Sequence, residues 1–95
     1  MTEELFAEDA LIIENRQTQE VSLCDSEKVP YLTVKFDAPL FGVWSPVGKN
    51  APFICIEPWY GRCDSVRFDG SFEEREWGSE LLPNTSFQTA YTVSV

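Results

Sequence analysis

Glu57 is the acidic residue whose position best suits acid–base chemistry. It directly follows the apolar run at residues 53–56 (FICI) and precedes Pro58 and Trp59, so the pattern places it at the end of a buried strand. A carboxylate held among apolar neighbours is suited to act as a general base. A second interpretation stays open, in which Glu57 is an edge-of-strand acid that reaches solvent, because acids are rarely fully buried without a partner.

Aromatic residues lie close to this glutamate in the sequence: Trp44, Phe53, Trp59 and Tyr60. Flat rings beside a carboxylate suit the apolar face and hydroxyl rim of a pyranose, although aromatic residues in a small domain also build cores. Asp9 and Asp64 adjoin an apolar or tight-turn segment. Spacing alone fits a turn cap as well as a ligand-binding role for these two aspartates.

Several kinds of chemistry are excluded by composition. The chain contains no histidine, so serine–histidine and cysteine–histidine pairs and histidine zinc motifs are absent. Its five glycines fit neither a dinucleotide fingerprint nor a phosphate loop. The sequence therefore gives no support for nucleotide binding, and acid–base work within it depends on carboxylates, tyrosine, lysine or cysteine.

Charge and length define the setting. A length of 95 residues is that of a single domain, residues 1–95. Its net charge of −9 would repel nucleic acid and an anionic membrane surface. No apolar stretch is long enough for a membrane span, and the acidic start does not resemble a signal peptide. Three cysteines without a Cys-x-x-Cys pair fit reduced thiols, so we expect a cytoplasmic protein.

The elements that would position these residues are mostly short strands. Alternating or apolar runs predict strands at residues 10–13, 20–24, 31–36, 41–44, 53–56 and 87–95, with a hairpin around 20–24. The runs at 41–44 and 53–56 read as strands buried on both faces. Capping-box spacing from Ser71 to Glu74, with Gly78 as the stop, predicts one or two helical turns over residues 72–77. The fold class is therefore all-β, an antiparallel sandwich or barrel.

One sequence resemblance runs in order from Leu5 to the end of the chain. It is carried by residues 5–11 (LFAEDAL), 42–46 (GVWSP), 53–61 (FICIEPWYG), 75–78 (REWG) and 82–87 (LPNTSF). In these segments the chain resembles the C-terminal third of the aldose 1-epimerase (galactose mutarotase) family, within its LacX-like branch. The resemblance implies the C-terminal part of a galactose mutarotase-like β-supersandwich.

The resemblance also implies a reaction and its residues. In this family a glutamate removes the proton from the sugar C1 hydroxyl while a histidine protonates the ring oxygen, so that the opened aldohexose recloses as the other anomer. The glutamate corresponds to Glu57, and Asp9 corresponds to an aspartate that hydrogen-bonds the sugar. We infer from their aromatic character that Trp44 and Trp59 line the pocket. No metal or organic cofactor is implied.

Three hypotheses follow from the missing histidine. The chain is an isomerase fragment that is inactive alone, a noncatalytic carbohydrate-binding or interaction module, or an inactive remnant. With the base but not the acid, the ring opening lacks a proton transfer that typically raises the reaction rate about a hundredfold or more. We also expect the exposed strand edges to recruit a partner, either further copies of this chain in a homo-oligomer or a chain that supplies the absent N-terminal part.

Overall fold

The computed structural model describes residues 2–95 and shows an all-β architecture, which confirms the predicted class. Its strands are β1 (Leu11–Ile13), β2 (Glu20–Cys24), β3 (Pro30–Phe36), β4 (Leu40–Trp44), β5 (Cys55–Trp59) and β6 (Tyr91–Ser94). The helical elements of this range are two short 3-10 helices, Glu3–Phe6 and Phe72–Glu74. Neither has the length or hydrophobicity that crossing a lipid bilayer requires.

The strands form two antiparallel sheets of three strands each. The first sheet has the order β1-β4-β5, and the second has the order β2-β3-β6. In the first sheet Gly42 of the central strand β4 pairs with Ile12 of β1 and with Glu57 of β5. In the second sheet β2 and β3 form the predicted hairpin, and β6 then adds to the far side of β3. Strand β4 therefore holds the first sheet together, and β3 holds the second.

The core lies between the two sheets. Alternation turns Val34 and Phe36 of β3 toward Phe41 of β4, and these residues are buried together with Ala38. The rings of Phe36 and Phe41 lie 5.1 Å apart at 54°. Partly buried residues from both sheets pack around them: Ile13, Val21, Leu32, Val43, Ile56 and Tyr60. One small apolar cluster therefore joins the two sheets.

The opposite face of the second sheet is polar. The hydroxyl groups of Ser22 and Thr33 hydrogen-bond across the β2–β3 pair at 2.8 Å. Lys35 pairs with Glu20 at 3.1 Å on the same face. The apolar side chains Val34 and Phe36 on one face and the polar side chains Thr33 and Lys35 on the other follow the alternation predicted for residues 31–36.

Strand β5 begins later than predicted and is less buried. It runs over Cys55–Trp59 rather than residues 53–56, and Phe53 is 52% exposed. The buried hydroxyl of Ser45 donates a 2.9 Å hydrogen bond to the carbonyl of Phe53, so this residue belongs to the connection before the strand. Pro58 is accommodated because β5 lies at the edge of its sheet.

The predicted helix and the predicted final strand are both shorter than expected. The helix covers Phe72–Glu74, where the Glu74 carboxylate accepts the backbone N–H of Ser71 at 2.7 Å. The backbone becomes extended at Arg75, and Trp77 rather than Gly78 takes the left-handed conformation, with φ of 59°. The final strand is β6 alone, and Phe87 lies before it, where its ring packs edge-on against Tyr60 at 5.3 Å.

Candidate functional site

The face of the first sheet that is turned away from the Phe36–Phe41 cluster, called its outer face below, carries the predicted base. Directly paired residues of antiparallel strands project to the same side, so Ile12, Gly42 and Glu57 form a row across this face. Trp59 follows Glu57 by two residues in β5 and therefore shares the face. The sheet register brings together residues that lie far apart in the sequence.

A hydrogen bond fixes the glutamate to this tryptophan. The indole Nε1–H of Trp59 donates to Oε2 of Glu57 at 3.1 Å, and both side chains are partly buried. The six-membered ring of Trp59 lies on Gly42, where a Cβ atom would be only 2.8 Å from Cζ2. Glycine at position 42 thus gives the ring the space it needs to reach the carboxylate. One oxygen of Glu57, Oε1, is left to accept a ligand hydroxyl.

A cleft of about 530 Å³ opens beside this pair. It is lined by Glu8, Asp9, Ala10, Ile12, Trp59, Gly61, Arg62 and Cys63. Two of the four predicted site residues, Asp9 and Trp59, therefore line one cleft. Glu57 is hydrogen-bonded to Trp59, one of the lining residues. The volume lies within the range of about 300–1,000 Å³ typical of small-molecule sites.

Asp9 reaches the cleft from an unusual backbone conformation. Its φ is 94°, a region that residues other than glycine rarely occupy. Two hydrogen bonds hold it there: its N–H donates to the carbonyl of Phe6 at 3.1 Å, and its Oδ1 accepts the N–H of Ala10 at 2.7 Å. Asp9 therefore serves as the turn cap that its spacing suggested, and its second carboxylate oxygen remains for a ligand. The two readings of this residue are compatible.

Trp44 lies apart from this cleft. It pairs with Cys55 at the opposite end of the β4–β5 ladder, on the same face as Glu57 but outside the lining of the cleft. Trp44 and Glu57 are diagonal to one another in the β4–β5 pair, and such residues are about 7–8 Å apart. Trp44 is therefore a neighbour of Glu57 on the sheet, but it does not line the cleft with Trp59. Asp64 is also separate, since its carboxylate pairs with Arg75 at 2.6 Å.

Sequence reasoning missed Arg62, which gives the cleft its single arginine. This side chain is 29% exposed and forms an ion pair with Glu14, the residue directly after β1. The pair connects the segment after β5 to the end of β1, so that both sides of the cleft are held together. The position of Arg62, three residues after Trp59, was the only signal in the sequence. Its partner Glu14 lies 48 residues away, and no local pattern indicates that the two residues pair.

The cleft is predominantly acidic and apolar. Glu8 and Asp9 contribute carboxylates, while the charge of Arg62 is directed to Glu14. Within residues 2–95, no cluster of cysteine, aspartate and glutamate side chains is arranged to hold a metal ion. Another depression of about 430 Å³, near Arg16, Asp37 and Phe87, contains none of the predicted site residues. The chemistry therefore favours the cleft beside Trp59.

The chain is thus an all-β protein with an aromatic, acidic cleft on the outer face of one sheet. It is similar to two curated proteins of Lactococcus lactis subsp. lactis, the plasmid and the chromosomal forms of Protein LacX. Each is 28% identical over 92 residues, which cover 96% of this chain and 30% of the relative. The chain therefore spans less than a third of the length of these relatives. No protein-family model matches it, and no solved structure matches it.

Proposed function

We propose that this chain carries the base-bearing part of an aldohexose-binding site of the aldose 1-epimerase type. The observation that supports this best is the cleft in which Asp9 and Trp59 meet, with Glu57 bonded to the indole of Trp59. The resemblance to aldose 1-epimerases implies the sugar as substrate, and the alignment with the LacX proteins over 96% of this chain supports the LacX-like part of that resemblance. Cytoplasmic location belongs to the same proposal.

Each of the three residues has a distinct task in the proposed site. The indole of Trp59 offers an aromatic surface for the apolar face of a pyranose. The free oxygen of Asp9 accepts a hydrogen bond from a sugar hydroxyl. Glu57 accepts the proton of the C1 hydroxyl at Oε1 while the Trp59 N–H holds Oε2 in place, so the base is oriented before the sugar arrives.

Anomer exchange requires a second proton transfer that this chain does not provide. When the C1 hydroxyl gives its proton to the base, the bond between C1 and the ring oxygen breaks, and the ring oxygen must receive a proton. The family uses histidine for that step, and the 95 residues contain none. We therefore propose that the chain alone binds the sugar without accelerating mutarotation, and that catalysis needs an acid from another polypeptide segment.

A titration followed by NMR tests sugar binding. On addition of D-galactose or D-glucose we expect shifts in the indole Nε1–H of Trp59 and the amide of Asp9, with saturation in the millimolar range. Trp59→Phe should weaken binding, whereas Trp44→Phe is the matched control and should leave it unchanged. Shifts that appear equally across the chain, or none up to about 100 mM sugar, a concentration that would detect even affinities weaker than 10 mM, would exclude a sugar site here.

Polarimetry tests the catalytic part separately. Fresh α-D-glucose mixed with the chain should mutarotate at the rate of the buffer blank, because the acid is missing. A faster rate that disappears in Glu57→Gln would show that the chain provides its own proton donor, and the role given to Glu57 would then extend to full catalysis. A faster rate that persists in Glu57→Gln would remove Glu57 from the mechanism.

A further inference from the structure

The described residues expose more surface than a folded chain of this size normally does. Their accessible surface is 7652 Å², whereas a monomer of 10.8 kDa typically exposes about 5,500 Å². The excess of about 2,100 Å² is larger than the roughly 800 Å² that each partner buries in a standard interface. The radius of gyration, 16.2 Å, likewise exceeds the value of about 12 Å expected for a compact domain of 95 residues.

The four edge strands differ in how well they resist pairing with another chain. Strand β1 has only three residues, β5 contains Pro58, and β2 carries Glu20 and a bulge between Leu23 and Cys24. Short length, proline, charge and bulges are the features by which natural proteins block sheet edges. Strand β6 is also short, one residue longer than β1, but its four residues pair regularly with β3 and include neither charge nor proline.

The segment that contains β6 has no charged side chain of its own. Residues 81–95 contain no acidic or basic side chain, although the whole chain carries a net charge of −9. Two copies approaching through most other surfaces would bring like charges together, which is unfavourable. The one charged residue that pairs with β6 is Lys35, opposite Thr92, and its charge is balanced by the ion pair with Glu20. Repulsion is therefore smallest at β6, and a second copy of the same chain fits this edge best.

Strand β6 continues the core-facing side of the second sheet past the part that the first sheet covers. Tyr91 and Val93 pair with the buried residues Phe36 and Val34 and so project toward the core side, yet they are 67% and 51% exposed. Next to them a cleft of about 430 Å³ separates Pro58 of the first sheet from Tyr91. The sandwich of sheets is therefore open along this side, where a further strand would continue the core.

We propose that β6 pairs antiparallel with β6 of a second copy about a twofold axis. Val93 of one protomer lies opposite Val93 of its partner, and Tyr91 lies opposite Val95, which keeps apolar residues on the core side and Thr92 opposite Ser94 on the polar side. The two second sheets become one continuous sheet of six strands. Its outer edges are both β2, which is blocked, so assembly stops at the dimer.

The mass in solution and the identity of the paired strand test this proposal. Sedimentation or light scattering at physiological salt should give twice 10.8 kDa. In a sample that mixes isotope-labelled and unlabelled copies, nuclear Overhauser contacts should join Val93 of one copy to Val93 of the other. A monomer up to about millimolar concentration, where even a weak complex of Kd 1 mM would be half formed, overturns the proposal. So does a dimer without these contacts.

Lysine substitutions provide a matched set of variants. Val93→Lys places two ammonium groups opposite each other and should raise the dimer Kd at least about tenfold. Val95 is 101% exposed, so Val95→Lys removes no contact within the chain and still disrupts the dimer if Val93→Lys fails to fold. Val66 is 102% exposed in a turn remote from β6 in the sequence, and Val66→Lys makes the same charge change as a control. Equal dimer affinity in all three variants would place the interface elsewhere.

Discussion

Replacing Gly42 by alanine tests the packing that orients Glu57. A Cβ at this position would lie 2.8 Å from Cζ2 of Trp59, so the ring must withdraw by about 0.6 Å to reach an ordinary contact of 3.4 Å. The same movement would stretch the 3.1 Å bond from the Trp59 indole to Glu57 beyond hydrogen-bonding range. Crowding and loss of the bond together cost about 1–3 kcal/mol.

A smaller effect of opposite sign accompanies the substitution. Gly42 does not have a positive φ, so alanine fits its backbone, and restricting the unfolded chain stabilises the fold by about 0.5–1 kcal/mol. We therefore expect Gly42→Ala to lower the free energy of unfolding by about 1–2 kcal/mol net, which lowers the melting temperature by about 4–8 °C for each kcal/mol. Urea denaturation at one fixed protein concentration measures the change.

A double-mutant cycle separates the clash from any general effect on β4. In Trp59→Ala the ring is gone, so adding Gly42→Ala should stabilise the chain by about 0.5 kcal/mol, a reversal of sign. Gly61→Ala is the control, since its Cβ would meet only a carbonyl oxygen at 3.4 Å. If Gly42→Ala stabilises the chain that retains Trp59, or the two effects add, then the ring does not rest on Gly42 and the orientation argued for Glu57 is wrong.

Other predictions concern charge. Arg62→Gln should destabilise the fold by about 1 kcal/mol, whereas Arg16→Gln, whose ion pair is far more exposed, should change stability by less than about 0.5 kcal/mol; urea denaturation in low and high salt compares them. A hydrogen bond from its own backbone N–H and another from Ser71 lower the pKa of Glu73 below the ordinary 4.5. The contribution of Glu73 to stability is therefore present above pH 4.5 and is lost as the pH falls through the pKa of the folded state. A carboxyl NMR titration should show the low midpoint, and Ser71→Ala should raise it. The carboxylates of the cleft should make a hexose 6-phosphate bind at least about threefold more weakly than the neutral hexose, and equal affinities in the NMR titration would contradict the charge assigned to the cleft.

The strands with clear alternation were predictable from sequence. The prediction for residues 20–24 coincides with β2, and that for 31–36 differs from β3 by one residue, because side chains that alternate between core and solvent leave a period-two pattern. The start of β5 was missed because an apolar run does not specify which of its residues enter the ladder. The bond from Ser45 to Phe53 decides that, and it depends on tertiary structure.

The site was only partly predictable for the same reason. Glu57 and Trp59 share a face because they are two residues apart, which is a local property of a strand. The approach of Asp9 depends on β1 pairing with β4 in the register that sets Ile12 beside Gly42. The partner of Arg62 depends on it as well. Such pairings join residues that lie 28 to 48 positions apart, and no short motif records them.

The hydrogen bond between Ser45 and Phe53 separates two parts of one loop that differ in how freely they can evolve. Residues 46–52 lie inside the closure, so insertions there leave the strand register unchanged, and doubling the length of a flexible loop costs only about 0.6 kcal/mol. A single residue inserted after Phe53 would instead turn Glu57 to the face that packs on the core and break its hydrogen bond to Trp59, because side chains alternate along a strand. Length variation among related sequences should therefore gather in residues 46–52 and stop at Phe53.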